Sequence, residues 1–207
     1  MSGSSSVTGR VLVPTDGGFD ESRSLWNMRF DRRPDLAVRC TSSSDIKTSI
    51  EYAREQELSL SVKCGGHSYA ANSVGDGGLL IDLSLMKGIR VDAEARTVTV
   101  EGGVTCAELD AATQEYGLAT PTTTVSSVGV IGAAHGGGSG YLSRKYGLMT
   151  DNVISAEIVT ADGRQLRAAS DENPDLFWAI RGGGGNFGII TSLELRLHKV
   201  GPQVLSG

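Results

Sequence analysis

Residues 62–69 of this 207-residue chain read Val-Lys-Cys-Gly-Gly-His-Ser-Tyr, and this stretch decides how the rest is interpreted. The segment Leu60-Ser61-Val62 predicts a short strand, which ends just before Gly65 and Gly66. A strand that ends in glycines lets successive backbone N–H groups point into one concavity, an arrangement that binds pyrophosphate without many cations. His67 directly follows this predicted anion site.

Glycine is unusually frequent in the chain, with 28 of 207 residues, roughly twice the average share. It is concentrated in four clusters, at residues 65–66, 75–78, 129–140 and 182–188. A single cluster is explained equally well by a tight turn. Four clusters, each next to an apolar element, favour a backbone that approaches a bound ligand.

The charge balance limits the class of ligand. Nineteen Lys and Arg against twenty-four Asp and Glu give a net charge of −5, with no basic block. Binding to nucleic acid is therefore disfavoured, because it needs a positive surface that follows the phosphates. A nucleotide held by backbone N–H groups is compatible with an acidic chain.

The established phosphate-binding motifs do not match the glycine clusters. The chain has no GxxxxGK[ST] sequence, and residues 183–188 resemble GxGxxG only in composition. That string precedes a predicted strand, whereas the dinucleotide fingerprint follows a strand and begins a helix. A Rossmann site with a resident NAD is therefore disfavoured.

Length and composition describe one compact domain or two small subdomains with a shared core. No stretch approaches the roughly 18 apolar residues of a membrane span, and residues 1–10 lack the apolar region of a signal peptide. We therefore expect a cytoplasmic protein with no membrane partner. Cys40, Cys64 and Cys106 are odd in number and widely spaced, which predicts neither a disulfide framework nor a metal site.

Hydrophobic periodicity predicts a crossover in the first half of the chain and hairpins in the second. This pattern favours an α+β fold of two subdomains with mixed and antiparallel sheets and flanking helices. The predicted elements are strands at 36–40, 60–62, 79–83, 89–91, 97–100, 153–160, 165–168 and 189–197, and helices at 42–57, 105–116 and 173–180.

These elements place the domain boundaries. Residues 1–30 are rich in Ser and Gly, and we expect a partly flexible lead-in without functional residues. The first subdomain is predicted over residues 31–88 and the second over 89–200, followed by a tail at 201–207.

Several ordered segments resemble FAD-linked oxidases of the vanillyl-alcohol-oxidase or p-cresol-methylhydroxylase type, and especially the berberine-bridge-enzyme-like branch. One such segment alone is weakly specific, but the set in this order is strongly so. Together they span roughly residues 30–200. The segments are residues 65–69, 124–132, 136–148, 151–153, 159–163 and 173–188.

The resemblance implies the two-subdomain FAD-binding domain of the p-cresol-methylhydroxylase type, with FAD between the subdomains. It implies that the pyrophosphate lies on residues 64–68 and the adenosine end near residues 124–132 and 189–190. No catalytic residue and no metal ligand is assigned. The implied cofactor-binding residues are Cys64, Gly65, Gly66, His67, Ser68, Tyr69, Thr124, Ser126, Gly129, Gly132, Gly136, Ile189 and Ile190.

The resemblance also implies a covalent flavin, because the family histidine that matches His67 bonds to the 8α-methyl carbon of the isoalloxazine. A neutral imidazole is a competent nucleophile near pH 7, and the adjacent glycines remove side chains that would block the ring. Doubly linked relatives carry a cysteine where this chain has Val125, so a single linkage is implied. Cys64 is interpreted as a small apolar filler, and His135 as a hydrogen-bonded polar group.

Members of this family normally continue into a sheet that binds substrate, so the resemblance implies that a substrate domain is absent here. The first hypothesis is an FAD-dependent oxidoreductase module. It would move hydride from an alcohol, sugar or amine C–H to flavin N5, with dioxygen as acceptor, once a substrate domain or second chain completes the site. The alternatives are a non-catalytic or truncated flavin-binding protein and the flavin half of a cell-wall-precursor reductase that uses NADPH.

Overall fold

The computed structural model of the protein describes residues 7–201. In chain order the elements are β1 (Arg10–Leu12), α1 (Phe19–Arg23), β2 (Leu36–Arg39), α2 (Ser43–Glu55), β3 (Leu60–Lys63), β4 (Leu79–Asp82), β5 (Ile89–Asp92), β6 (Thr97–Glu101), α3 (Cys106–Gln114), β7 (Leu118–Ala119), α4 (Val130–His135), α5 (Ser143–Tyr146), β8 (Val153–Val159), β9 (Gln165–Ala169), α6 (Pro174–Ile180), β10 (Ile189–Arg196) and β11 (His198–Lys199). Short 3-10 turns cover Thr150–Asn152 and Gly184–Phe187.

The first sheet is mixed and has the strand order β1-β2-β4-β3. Strands β2 and β3 both run parallel to β4, whereas β1 is antiparallel to β2. Parallel neighbours need a crossover, and α2 supplies it between β2 and β3. The Ser42 hydroxyl caps α2 by accepting a hydrogen bond from the backbone N–H of Asp45 at 3.2 Å. Ile46 and Ile50 on α2 are buried with the sheet in one core cluster.

The second sheet is antiparallel throughout, with the order β5-β6-β10-β8-β9. Its core face packs against α3, α4 and α6, whose buried residues include Leu109, Val130 and Phe177. Two residues of this second half, Val159 and Ile189, are buried in the core of the first sheet. The two halves therefore share apolar contacts beside the start of β10.

The predicted α+β class with one mixed and one antiparallel sheet is confirmed. The predicted start of α3 is also present, because the Glu108 carboxylate accepts hydrogen bonds from both the backbone N–H and the hydroxyl of Thr105, each at 2.8 Å. The end of this helix differs from the prediction. It stops at Gln114, and Tyr116 lies beyond it with 53% of its surface exposed.

Part of the lead-in is packed into the fold, whereas the expected flexibility of residues 1–30 stays a prediction. Residues 1–6 and the tail at 202–207 lie outside the described residues. From Arg10, however, β1 pairs with β2 as an edge strand. Leu12 and Phe19 are each 1% exposed and form a third core cluster with residues of the first sheet. This part of the lead-in is therefore integral to the first subdomain.

No helix within residues 7–201 has the length and apolar character needed to cross a membrane.

A buried ion cluster anchors the carboxyl ends of β2, β3 and β4. Asp82 is fully buried, and its carboxylate lies 3.3 Å from Arg39 Nε and 3.8 Å from Lys63 Nζ. Ser84 donates hydrogen bonds to the same carboxylate from its backbone N–H and its hydroxyl. Lys63 Nζ also donates to the carbonyl of Ser22 at 2.6 Å, which ties β3 to the end of α1. Burial lowers the pKa of Lys63, and the charge of Asp82 opposes that shift.

Asp82→Ala should destabilise the protein strongly because it leaves buried Lys63 without a counter-ion and Arg39 with only the exposed carboxylate of Glu21. Removing one partner of a buried pair costs about 3–5 kcal/mol of unfolding free energy. Urea unfolding measures this loss. Asp171→Ala is the control, since its ion pair with Arg167 is exposed and should leave the unfolding midpoint nearly unchanged. Equal midpoints for the two variants would contradict the assigned role of the buried cluster.

Candidate functional site

A cleft of about 780 Å³ lies where the loops of the two halves meet. This volume falls within the range of small-molecule and cofactor pockets, about 300–1,000 Å³. Its walls come from the loop after β3, the loop that leads into α4, α4 itself and the start of β10. The cleft is thus built from the first, third and fourth glycine clusters of the sequence.

The floor of the cleft is a close crossing of two backbone segments. A Cβ atom placed on Gly65 would lie 2.4 Å from the backbone nitrogen of Gly129. A Cβ atom on Gly129 would lie 2.3 Å from Cys64 Sγ. Both distances are far below van der Waals contact, so only glycine fits at these two positions. Cys64 acts as packing here, and burial raises the pKa of its thiol to about 12, which keeps the thiol protonated and unreactive.

His67 lies in the loop after β3, and its imidazole contacts two other residues, Ser127 and Trp26. Its Nε2 atom lies 2.8 Å from the hydroxyl oxygen of Ser127. Its ring stacks on the indole of Trp26, with ring centroids 5.4 Å apart and an interplanar angle of 23°. The described residues supply no hydrogen-bond partner for Nδ1. Partial burial lowers the pKa of His67, so the imidazole is mainly neutral at pH 7 and retains a lone pair.

Trp26 brings the lead-in into the site. Its backbone N–H donates a hydrogen bond to the carbonyl of Gly66 at 3.1 Å, and its indole meets Tyr69 edge-on at 5.7 Å. Gly66 has a positive φ of 68°, and a Cβ atom there would lie 3.3 Å from the carbonyl oxygen of Ser24. The glycine therefore permits both the turn and the approach of the lead-in.

The structure brings together nearly all of the residues that the sequence assigned to cofactor binding. Ser126 is the exception: it does not line the cleft, and its carbonyl accepts a hydrogen bond from the backbone N–H of Ala107 at 2.9 Å. The predicted residues that line the cleft are Cys64, Gly65, Gly66, His67, Ser68, Tyr69, Thr124, Gly129, Gly132, Gly136, Ile189 and Ile190.

The described lining of the cleft contains no Asp, Glu, Lys or Arg. The polar groups of its lining residues are hydroxyls, two imidazoles, one indole, one thiol and backbone. Among the described residues, none accepts a hydrogen bond from the backbone N–H groups of Gly66, His67 and Ser68. These free donors next to the hydroxyls of Ser68 and Thr124 form a neutral cradle suited to a phosphate-bearing ligand.

His135 contributes a polar atom that lacks a partner. It lies at the end of α4 and lines the cleft, and its Nε2 atom is buried without a hydrogen-bond partner among the described residues. Burial lowers the pKa of His135 to about 4, so the ring is neutral at pH 7. The expected hydrogen-bonded partner is therefore missing, and a ligand in the cleft would supply one.

A protein family model described as an FAD binding domain matches residues 34–169. The chain belongs to this family. FAD is thus the cofactor of the domain, and the cleft fits it. The volume is adequate, the N–H groups of Gly66, His67 and Ser68 are available to a phosphate, and the buried His135 Nε2 atom has no partner among the described residues.

Relatives support the narrower resemblance drawn from the sequence. (R)-6-hydroxynicotine oxidase from Paenarthrobacter nicotinovorans is 40% identical over 202 residues, which are 98% of this chain and 44% of that protein. The structure of a BBE-like protein from Physcomitrella patens superposes with a TM-score of 0.89 at 30% identity and covers 93% of this chain and 42% of that one. The oxidase resemblance and the fold type are confirmed.

A third relative is glucooligosaccharide oxidase from Acremonium strictum, whose structure is described as containing a 6-S-cysteinyl, 8α-N1-histidyl FAD. It superposes with a TM-score of 0.87 at 30% identity and covers 92% of this chain and 41% of that one. The chain therefore spans less than half the length of each of these three relatives.

Sequence reasoning named neither Trp26 nor Ser127, the two residues that contact the His67 ring, although Ser127 lies within the predicted segment 124–132. Trp26 lies in the Ser- and Gly-rich lead-in, where composition indicated no function, and the only local signal was an isolated aromatic residue. Ser127 is adjacent to the predicted Ser126, and the alternation of side chains within an irregular loop cannot be read from the sequence. His135 was considered, but its lack of a partner depends on the tertiary structure.

The close crossing of Gly65 and Gly129 predicts that alanine substitutions at Gly129 and Gly132 change different properties, stability in the first case and flavin binding in the second. Gly129→Ala should lower the unfolding free energy by about 1–3 kcal/mol because its new methyl group overlaps Cys64 Sγ. Gly132→Ala should leave stability unchanged or slightly higher, since its Cβ meets nothing within 4 Å. Because that methyl group projects into the lining, Gly132→Ala should instead lower the bound flavin. Urea unfolding and the absorbance ratio at 450 and 280 nm separate these effects, and a Gly129→Ala protein as stable as wild type would refute the crossing.

Burial of neutral His135 predicts an acid-dependent loss of stability. The unfolded histidine, with a pKa near 6.5, binds a proton that the folded one resists down to about pH 4. Because the unfolded state binds more protons in this window, unfolding free energy falls as pH drops from about 6.5 to 4. His135→Leu should flatten this dependence. Urea unfolding at pH 7, 5.5 and 4.5 tests it, and equal slopes for the variant and wild type would contradict the assignment.

Proposed function

We propose that this chain is the FAD-binding part of an FAD-dependent oxidase and that His67 carries the flavin covalently. The observation that supports this most directly is the cleft itself, with a neutral imidazole at one end whose Nδ1 atom is free. The family supplies the cofactor, and the histidyl FAD of the related glucooligosaccharide oxidase gives a precedent for the linkage. Val125 lines the cleft where a second, cysteinyl linkage would need a thiol, so we propose a single bond.

Different residues of the cleft are assigned to different parts of the cofactor. We assign the free backbone N–H groups of Gly66, His67 and Ser68 to the pyrophosphate, because they offer several donors without any side chain in the way. We assign Thr124, the glycines that line the second loop and α4, and the apolar pair Ile189 and Ile190 to the rest of the cofactor. Bound FAD supplies a two-electron acceptor, and the protein supplies binding, orientation and electrostatics.

Formation of the proposed bond is a two-electron oxidation, with dioxygen as the final oxidant. The bond from His67 Nδ1 to the 8α-methyl carbon replaces one methyl C–H bond. The methyl proton and the imidazole proton leave, and two electrons pass to the flavin. Dioxygen then takes up these two electrons and two protons and becomes hydrogen peroxide. The free Nδ1 lone pair of the neutral imidazole is the feature of this chain that the step requires.

We propose an alcohol, sugar or amine as the substrate of the complete enzyme. The relatives are named as oxidases of 6-hydroxynicotine and of glucooligosaccharides, an amine and sugars. Within the described cleft, Cys64 is protonated and both histidines are neutral at pH 7, and no carboxylate is present. This chain's own residues therefore bind and orient the flavin and exclude solvent from it, and we assign no residue of the described cleft to substrate deprotonation.

The covalent bond is tested by acid precipitation. The purified protein should be yellow, and trichloroacetic acid should leave the flavin in the pellet. Digestion should yield a His67 peptide heavier by one FAD less two hydrogens. His67→Ala should release all of its flavin into the supernatant, because the variant keeps the backbone cradle but lacks the nucleophile. His198→Ala, whose ring stacks on Tyr146 away from the cleft, is the control and should retain the bond. Free flavin from the wild-type protein would refute the covalent linkage.

A flavin-binding protein without turnover remains the second candidate, and the uncharged cleft is the observation that favours it. Anaerobic mixing of the yellow protein with amines, sugars or alcohols distinguishes the two. Bleaching at 450 nm followed by recovery in air supports the oxidase. Bleaching by NADPH alone would instead indicate a reductase.

A further inference from the structure

Two residues outside the predicted site contact the imidazole of His67 from different sides. Ser127 engages Nε2 at 2.8 Å, and Trp26 covers one face of the ring at a centroid distance of 5.4 Å. Both are far from His67 in sequence, and neither contact follows from the glycine motif. The ring of a surface histidine would otherwise rotate among several rotamers.

The backbone around Ser127 is firmly attached to the start of α3. The carbonyl of Ser126 accepts a hydrogen bond from the N–H of Ala107, and the carbonyl of Val128 accepts one from the N–H of Cys106, each at 2.9 Å. Ser127 lies between these two fixed points. Its hydroxyl is therefore presented to His67 by a rigid support rather than by a free loop.

Trp26 is attached to the same loop that carries His67. Its N–H donates to the carbonyl of Gly66, and the carbonyl of nearby Ser22 accepts a hydrogen bond from buried Lys63 Nζ at 2.6 Å. Gly66 and Lys63 flank the cleft residues Cys64 and Gly65, so the lead-in is hydrogen-bonded to the loop on both sides of these two residues. The indole face is thereby held at 23° to the plane of the imidazole.

Resting on the covalent linkage proposed above, we infer that Ser127 and Trp26 are positioning residues for the attachment of the flavin. Ser127 accepts the proton of Nε2–H, which leaves the lone pair on Nδ1, and Trp26 fixes the plane of the ring so that this lone pair faces the cleft. The hydrogen bond made by one imidazole nitrogen sets the chemistry of the other. Without Ser127 either nitrogen is free to react.

The test measures the bond and not the turnover of the enzyme. Wild-type, Ser127→Ala, Ser127→Thr, Trp26→Ala and Trp26→Phe proteins are labelled with ¹⁵N-histidine and loaded with FAD in air. Acid-stable flavin is followed with time on denaturing gels. NMR of the purified flavinyl peptide then identifies the ring nitrogen that is bonded to carbon. Thermal unfolding of each variant detects any loss of fold, and Trp178→Ala, a change at an exposed tryptophan, is the control.

The wild-type protein should show a single linkage through Nδ1. Ser127→Ala should attach flavin roughly five-fold more slowly or more, as expected for one lost hydrogen bond, and should give both linkage isomers. Ser127→Thr should restore the wild-type isomer because it keeps the hydroxyl. Trp26→Ala should slow attachment, and Trp26→Phe should restore much of the rate because a planar ring remains.

The outcomes separate this inference from the proposed function. If wild type carries covalent flavin and folded Ser127→Ala gives only the Nδ1 isomer at the wild-type rate, the positioning role is wrong and the covalent linkage stands. If Trp26→Phe folds but is as slow as Trp26→Ala, the stacking role is wrong. If wild type binds FAD without a covalent bond, both the linkage and the inference are overturned.

Discussion

Two stretches of backbone cross so closely beside Cys64 that neither Gly65 nor Gly129 has room for a β-carbon. One stretch follows β3 of the mixed sheet, and the other leads into α4 beneath the antiparallel sheet. The crossing therefore sets how near the two halves come and how deep the cleft is. It also orients the residues on either side, so that His67 and Ser127 extend from the same junction and meet at 2.8 Å.

A second constraint is the absence of charge from the described lining. FAD carries a negatively charged pyrophosphate, yet the cleft offers it backbone donors and hydroxyls. The cation nearest in sequence, Lys63, faces away from the cleft and is buried against Asp82 and the Ser22 carbonyl. Lys63 thus supports the loop from behind, and the loop holds the ligand through dipoles. Burial lowers the pKa values of His67 and His135, and no carboxylate in the described lining opposes that shift.

The sequence was most informative where local chemistry fixed the conformation. Two local features were predicted correctly: the short strand that ends before Gly65 and Gly66, and the Thr105–Glu108 capping at the start of α3. Each depends on neighbours within a few residues. The role of Trp26 in the site could not be predicted, because its stacking partner His67 comes much later in the sequence, after β2, α2 and β3. Likewise α4 is short and lies between glycines, so it shows too few turns for a helical period to appear.

The cradle for the cofactor combines an early segment at Trp26, a central loop at His67 and a later loop at Ser127, and none of these can form it alone. The contact that Lys63 makes with Ser22 spans 41 residues, and the one that His67 makes with Ser127 spans 60. Closing loops of this length has an entropic cost that the contacts must outweigh. A chain that holds flavin against all three segments would therefore be one whose lead-in has already docked on the loop of His67.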